Sequence, residues 1–267
     1  MLRSMAMCLV VGLASSAPCQ ARLVVPDDYS GIQEAIDAAS AGDIVLVRPG
    51  VLPWSGFYLD KPLSIVAWDN TFTTTSRIML TGPTDAIYID LEDGEHANLV
   101  GFDIVEWFAS PGGFSMVSVD GGMVTLEDCT INGGGDPNGF GGVATLNLFQ
   151  TRAVLLRTWL SGGVGGMALT AYDSDISAVS SRALGGLDAN GTHVFLTEVH
   201  ASDCLLQGGD SAQAQGGVAL LVSPNSRARV SDSDIVGGVG MTGGAGLVNQ
   251  GTVPVDLARN RLIGGAG

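Results

Sequence analysis

VTLEDCTINGG, residues 124–134, decides how the rest of the chain reads, because its ending returns at near-regular intervals. Paired glycines begin at Gly133, Gly162, Gly185, Gly208, Gly237 and Gly264, spaced 29, 23, 23, 29 and 27 residues apart. A period of roughly 20 to 50 residues marks an architecture whose units stack. Aligned on these pairs, the positions separate by character. Two residues before the pair stand Ile131, Leu160, Ala183, Leu206, Ile235 and Leu262; seven before stand Leu126, Leu155, Ala178, Ala201, Val230 and Leu257; nine before stand Val124, Ala153, Ile176, Val199, Ala228 and Val255. These apolar columns are expected to face inward. Thr125, His200, Arg229 and Asp256, eight before the pair, then face water, which is the alternation of a strand with one buried face.

The alternation breaks five residues before the pair, where Asp128, Arg157, Ser180, Asp203, Asp232 and Arg259 stand. A bend there lets inward pointing resume one residue later, at the small column Cys129, Thr158, Ser181, Cys204, Ser233 and Asn260. Each repeat also opens with another strand, such as 116–119, 143–148, 167–172 or 218–222, and residues 97–104 fit the same register with Leu99, Phe102 and Ile104 inward. Three short strands and three bends per repeat describe an all-β, three-sided parallel solenoid.

One segment is different. VPDDYSGIQEAIDAASAGDIVLVRPG, residues 25–50, carries Ile32, Ala35, Ile36 and Ala39 at helical spacing, a capping-box pair in Ser30 and Gln33, and Gly42 where a left-handed residue ends a helix. The expected helix covers about residues 31–41, and a strand at Ile44–Val47 stops at Pro49-Gly50. A stacked coil exposes its open end and needs a cap, and this lone helix is assigned that role. From Ile44 onward, about 26 residues per coil gives eight or nine coils and a stack about 40 Å tall.

Residues 1–21 read as a secretory signal peptide: Arg3, an apolar run from Met5 to Ala14, then Cys19-Gln20-Ala21 as a small-x-Ala cleavage pattern. The run falls short of the about 20 residues that span a bilayer, so no membrane span is expected. The domain is placed at 22–267, in a protein secreted or held in the periplasm or at the cell surface. Loss of Arg3 takes the formal charge from −15 to −16. Nucleic acid is a poor partner for such a chain, because phosphate binding needs clustered cations and Lys61 is the only lysine. A polyuronate would be repelled unless a cation such as calcium bridged the surfaces.

At these residues a resemblance emerges. The stretch 25–50 resembles the N-terminal cap and first strand of right-handed parallel β-helix proteins of the pectin lyase-like superfamily, and VTLEDCTINGG looks like that superfamily's repeats. The likeness implies a right-handed β-helix over nearly the whole mature chain, with a polysaccharide or glycan as the partner. It leaves activity open, because the superfamily includes lyases, hydrolases, esterases and adhesins. The motifs of polygalacturonases, Asn-Thr-Asp, Asp-Asp, Gly-His-Gly and Arg-Ile-Lys, have no match here. Pectate lyase chemistry, in which calcium is held by aspartates while an arginine or lysine abstracts a proton, leaves no fixed motif.

The leading expectation is therefore an exported protein that binds extracellular carbohydrate or envelope polymer. The alternative is a calcium-assisted polysaccharide lyase, with Asp203, Asp232 and Asp234 as metal ligands and Arg157 as catalytic base or clamp. A third reading is a purely structural surface protein. Trp54, Phe57 and Tyr58, in a loop after the first strand, and Trp159, in an outward column, are aromatics suited to sugar contact; Trp54, Tyr58 and Trp159 are the candidate substrate-binding residues. Two longer loops, 132–142 and 207–217, leave one edge, where solenoids build clefts. Cys129 and Cys204 lie three rungs apart, about 14 Å, too far for a disulfide, and are expected as buried thiols. His200 outward and Cys204 inward cannot converge on zinc. The last repeat carries no capping element, so self-association through the C-terminal coil is expected unless a further segment covers it.

Overall fold

The computed structural model describes residues 20–267 apart from 50, 55, 69–75, 81–86, 107–114, 134–143, 188, 190, 196 and 213–214. Residues 1–19 of the proposed signal segment and most of the loop 132–142 lie outside the described residues. Three all-parallel sheets wind around one apolar interior. Sheet 1 has ten strands, beginning with 22–25 and 44–47 and ending with 255–258; sheet 2 has nine, from 51–54 to 261–263; sheet 3 has eight, from 57–59 to 247–249. Each coil visits sheet 3, sheet 1 and sheet 2 in turn.

The glycine-based register holds rung by rung. Leu126 pairs with Leu155, which continues through Ala178, Ala201 and Val230 to Leu257. Ile131 pairs with Leu160 and continues through Ala183, Leu206 and Ile235 to Leu262. These columns are buried except in the last coil, where Leu257 and Leu262 are exposed. Every residue of the bend column, Asp128, Arg157, Ser180, Asp203, Asp232 and Arg259, has a left-handed backbone with φ between 49° and 55°. That conformation is what breaks the alternation.

Behind the bend, the small column works as a polar ladder inside an apolar core. The Thr158 N–H donates to Ser181 Oγ (3.1 Å), the Cys204 N–H to Ser233 Oγ (3.0 Å) and the Ser233 N–H to Asn260 Oδ1 (2.9 Å). Each such bond satisfies a backbone group that the bend removes from the sheet. A second ladder lines the bend between sheets 3 and 1, where the N–H groups of Thr151, Ser174 and Thr197 donate to Ser174, Thr197 and Ser226 in the next coil. Cys129 and Cys204 are both free and buried.

The cap departs from expectation in detail. The helix runs over Ile32–Ala38, shorter than 31–41, with Gly31 at its N-cap. The reciprocal bond is made by Glu34, whose carboxylate accepts from both the N–H and the hydroxyl of Ser30. Gln33 is thereby released to pin Tyr58, accepting its N–H at 2.7 Å and donating to its carbonyl at 3.2 Å. Ile32, Ala35 and Ile36 close the apolar end of the coil. Lys61 donates to the Ile36 and Ala39 carbonyls at the helix C-terminus, where a cation is favoured.

The paired glycines have a cause that turns alone do not supply. Gly186, Gly209, Gly217, Gly238 and Gly244 all lack a positive φ. After sheet 2 the chain runs out and back, with its two legs in backbone contact with each other and with the preceding coil: Gly244 N–H donates to Gly238 O at 2.8 Å, and Gly238 N–H to Gly217 O of the preceding coil at 2.9 Å. A Cβ on Gly238 would lie 1.9 Å from Gly209 O, and one on Gly209 would lie 1.6 Å from Gly186 O. The two ends of the segment 207–217, expected as an open binding loop, belong to this packed seam: Gly208, Gly209, Gly216 and Gly217 are all buried.

Candidate functional site

The expected candidates do not converge. Val51–Trp54 is a strand of sheet 2 and Phe57–Leu59 a strand of sheet 3, so these aromatics are not in a loop. The Trp54 side chain lies outside the described residues. Phe57 points into the core, whereas Tyr58 faces out and is 42% exposed. Trp159 is 40% exposed on sheet 2, a different side of the molecule, with the Arg182 guanidinium 5.3 Å from its ring centre.

The acidic row at the bend is occupied by arginines. Asp232 takes a two-pronged contact from Arg259, with Nε at 2.6 Å and Nη2 at 2.6 Å, and Asp234 takes one from Arg261 at 3.0 and 2.8 Å. Asp203 accepts the Ser180 hydroxyl at 2.8 Å. Among the described residues no group of three or more His, Cys, Asp or Glu side chains is arranged to hold a metal ion. The three carboxylates therefore do not fit a calcium site. Arg157 is clasped in the same way, by both Asp128 oxygens at 2.6 and 2.8 Å and by Glu127 at 2.6 Å. The bonds from Asp128, then Glu127, raise its pKa above the arginine range. A general base must shed a proton; this guanidinium holds its proton more firmly than a free one.

The outer face of sheet 3 offers a different arrangement. Pairing in register brings Tyr58 beside Tyr88 and Phe149 beside Tyr172. Both pairs stack nearly parallel, with ring centres 5.8 and 5.3 Å apart and 9° between planes in each. Phe149 and Tyr172 are 41% and 43% exposed. Such rings are held by the sheet at no further cost in ordering, since neighbouring strands fix their spacing. Between the two stacks lies the rung of Ser118 and Asp120, and the Tyr58 hydroxyl donates to Asp90 at 3.0 Å. That bond, ahead of burial, raises the Tyr58 pKa above its ordinary value.

Just round the bend from Phe149 and Tyr172, a groove of about 570 Å³ runs over Gln150, Arg152, Asp173 and Asp175 to Asp93 and Glu95. Arg152 is its single cationic side chain, 4.0 Å from Asp175. Aromatic platform and polar groove are continuous along the chain, because Phe149 precedes Gln150 and Tyr172 precedes Asp173.

This column was within reach of the sequence. Asp120, Phe149 and Tyr172 each stand thirteen residues before a glycine pair, four positions beyond the last column read. The distance from a glycine pair forward to the same strand varies, so only the backward count exposes it.

Three rising sheets around one core, with left-handed bends and internal polar ladders, define a parallel β-helix. The structure superposes on the pectate lyase Pel9A with a TM-score of 0.57 at 13% identity, over 83% of this chain and 64% of that one. The chain thus has the right-handed parallel β-helix fold of pectin lyase-like proteins and spans about 64% of the length of that lyase. Lesser likenesses are to a pectin methylesterase, TM-score 0.41 at 15% identity over 81% of this chain and 80% of that one, and to the alginate lyase AlyGC, TM-score 0.44 at 12% identity over 92% and 41%. No family model and no curated protein matches the sequence. Among the described residues, no helix is long and apolar enough to cross a membrane.

Proposed function

We propose that this is an exported β-helix protein that binds a carbohydrate polymer across the outer face of sheet 3 and into the adjoining groove. The observation that carries the reading is the pair of parallel aromatic stacks, Tyr58–Tyr88 and Phe149–Tyr172, held on one exposed face of a rigid sheet. Sugar rings present apolar C–H faces and polar edges, so they pack against exposed aromatic rings while hydroxyls bond to neighbouring carboxylates. Asp90, Asp120 and the groove residues supply those acceptors. The pectate lyase to which the fold is similar acts on a polysaccharide, as its name states, and this agrees with the choice of ligand class. Arg157 and the aspartates near it are better accounted for as a surface ion-pair network than as lyase machinery.

The test is affinity electrophoresis of the mature protein through gels containing a panel of polysaccharides. A retarding polysaccharide should lose most of its hold on a Phe149→Ala/Tyr172→Ala variant and keep its hold on Trp159→Ala. Retention that survives the double substitution, or vanishes with Trp159→Ala alone, would contradict the assignment. The rings are partly exposed, so melting of the double variant should stay near that of the parent and serves as its control.

A further inference from the structure

Charge on this molecule is distributed unevenly in a way that bears on the ligand. On sheets 1 and 2 and the bend between them, outward carboxylates meet arginines: Asp128 and Glu127 with Arg157, Asp232 with Arg259, Asp234 with Arg261 and Asp256 with Arg229. Sheet 3 is different, because its eight strands contain no lysine and no arginine. Its outer column runs Asp60, Asp90, Asp120 and then Phe149 and Tyr172, one residue per rung. None of the three aspartates has an ion-pair partner among the described residues. Like charges about 4.8 Å apart on successive rungs repel one another.

Resting on the carbohydrate-binding reading, we infer that the ligand of this face is a glycan whose repeating units carry free ammonium groups, a deacetylated amino-sugar polymer. Carboxylate and aromatic ring are the two groups that attract an organic cation, and here they share one column. The rungs hold the aspartates apart, so one compact metal ion cannot take all three, and no metal-holding group is formed there. Ammonium groups repeated along a polymer can meet them one by one. A polyuronate would bring further negative charge to a face with no cation to receive it. The groove beyond Tyr172 continues the same bias, with Asp93, Glu95, Asp173 and Asp175 against Arg152 alone.

An acidic protein attracts any polycation weakly, so the experiment compares faces as well as ligands. Binding of a glucosamine oligomer, its fully N-acetylated counterpart and a galacturonate oligomer is measured by calorimetry at physiological ionic strength. The glucosamine oligomer should bind tightest and the galacturonate oligomer should not bind. Asp90→Asn/Asp120→Asn should weaken the glucosamine oligomer about fivefold or more and the acetylated one clearly less, because the acetylated one loses charge-assisted hydroxyl contacts but no ammonium pairing. Asp203→Asn/Asp234→Asn, equal in charge but on the bend between sheets 1 and 2 and on sheet 2, should have little effect. Equal affinity for the acetylated oligomer, binding of the galacturonate, or equal losses from the two double variants would overturn the inference and leave sugar binding standing. Failure of every glycan would overturn the underlying reading as well.

Discussion

Gly238→Ala is the substitution whose consequence the fold fixes most sharply. Gly238 has no positive φ, so alanine is not excluded by backbone conformation, and in an open loop it would stabilise by about 0.4–1 kcal/mol. The surroundings reverse that sign. The added methyl would sit 1.9 Å from Gly209 O and 2.6 Å from its carbonyl carbon, so the two coils must part here by about 1.5 Å to reach ordinary contact. That separation stretches two backbone bonds that run between the coils, Gly238 to Gly217 and Gly208 to Val236, beyond hydrogen-bonding range. Unsatisfied buried groups cost about 1–3 kcal/mol each, so the net loss is about 2–4 kcal/mol. For a chain of this size that lowers Tm by about 5–15 °C. Gly264→Ala, at the first position of the last glycine pair, is the control: its Cβ would meet only Gly244 O, at 3.8 Å. Calorimetric melting of the two variants should separate them clearly. If they melted together, or if Gly238→Ala matched the parent, close backbone approach would not be the reason for the glycine pairs.

Other consequences follow from the interior and the bends. Thr192 takes an inward position where its neighbours in the column are Leu169 and Leu220, and its hydroxyl is buried without a partner beside a cavity of about 30 Å³. Thr192→Val should raise stability by about 1 kcal/mol in urea titration, and a loss of that size would mean the hydroxyl is bonded. Bonds from Arg157 and Arg259 hold the Asp128 and Asp232 carboxyls below the ordinary 3.8, so their contribution is complete above that value and disappears as pH falls through the depressed folded range. Asp232→Asn should flatten the decline of stability below about pH 4, and an unchanged slope would remove this pair from the acid response. Burial pushes the Cys129 thiol up to about 11 and that of Cys204 upward too. Neither should react with a thiol reagent at pH 8 until the chain unfolds, and a fast-reacting native thiol would place one of them outside the core.

Much of the architecture was legible because its cause is local and repeated. Leu126, Leu155 and Leu257 announce one inward column through a constant offset, and the run Asp128-Cys129 announces a bend through broken alternation. What escaped depended on contacts between distant segments. Arginine pairing at Asp232 and Asp234 depends on side-chain reach between rungs, so the sequence alone left those carboxylates open to a cation. Gly209 and Gly238 mark the repeat in the sequence without giving its cause, because the approach of two backbones leaves no trace other than glycine itself. Ser30 and Gln33 fit a capping box, but the strand at Phe57–Leu59 competes for Gln33 and moves the cap by one residue. The Phe149–Tyr172 stack lay on the far side of segments of unequal length, where register is read only by counting backward.

The most direct test of the account is the response of individual aromatic rings to a bound oligosaccharide, followed by NMR with labelled phenylalanine and tyrosine. Signals of Tyr58, Tyr88, Phe149 and Tyr172 should move together as ligand is added, while those of the buried Phe57 and Phe102 stay in place. Shifts confined to other parts of the molecule, with these four rings unmoved by a glycan that binds, would contradict the assignment of the sheet 3 face.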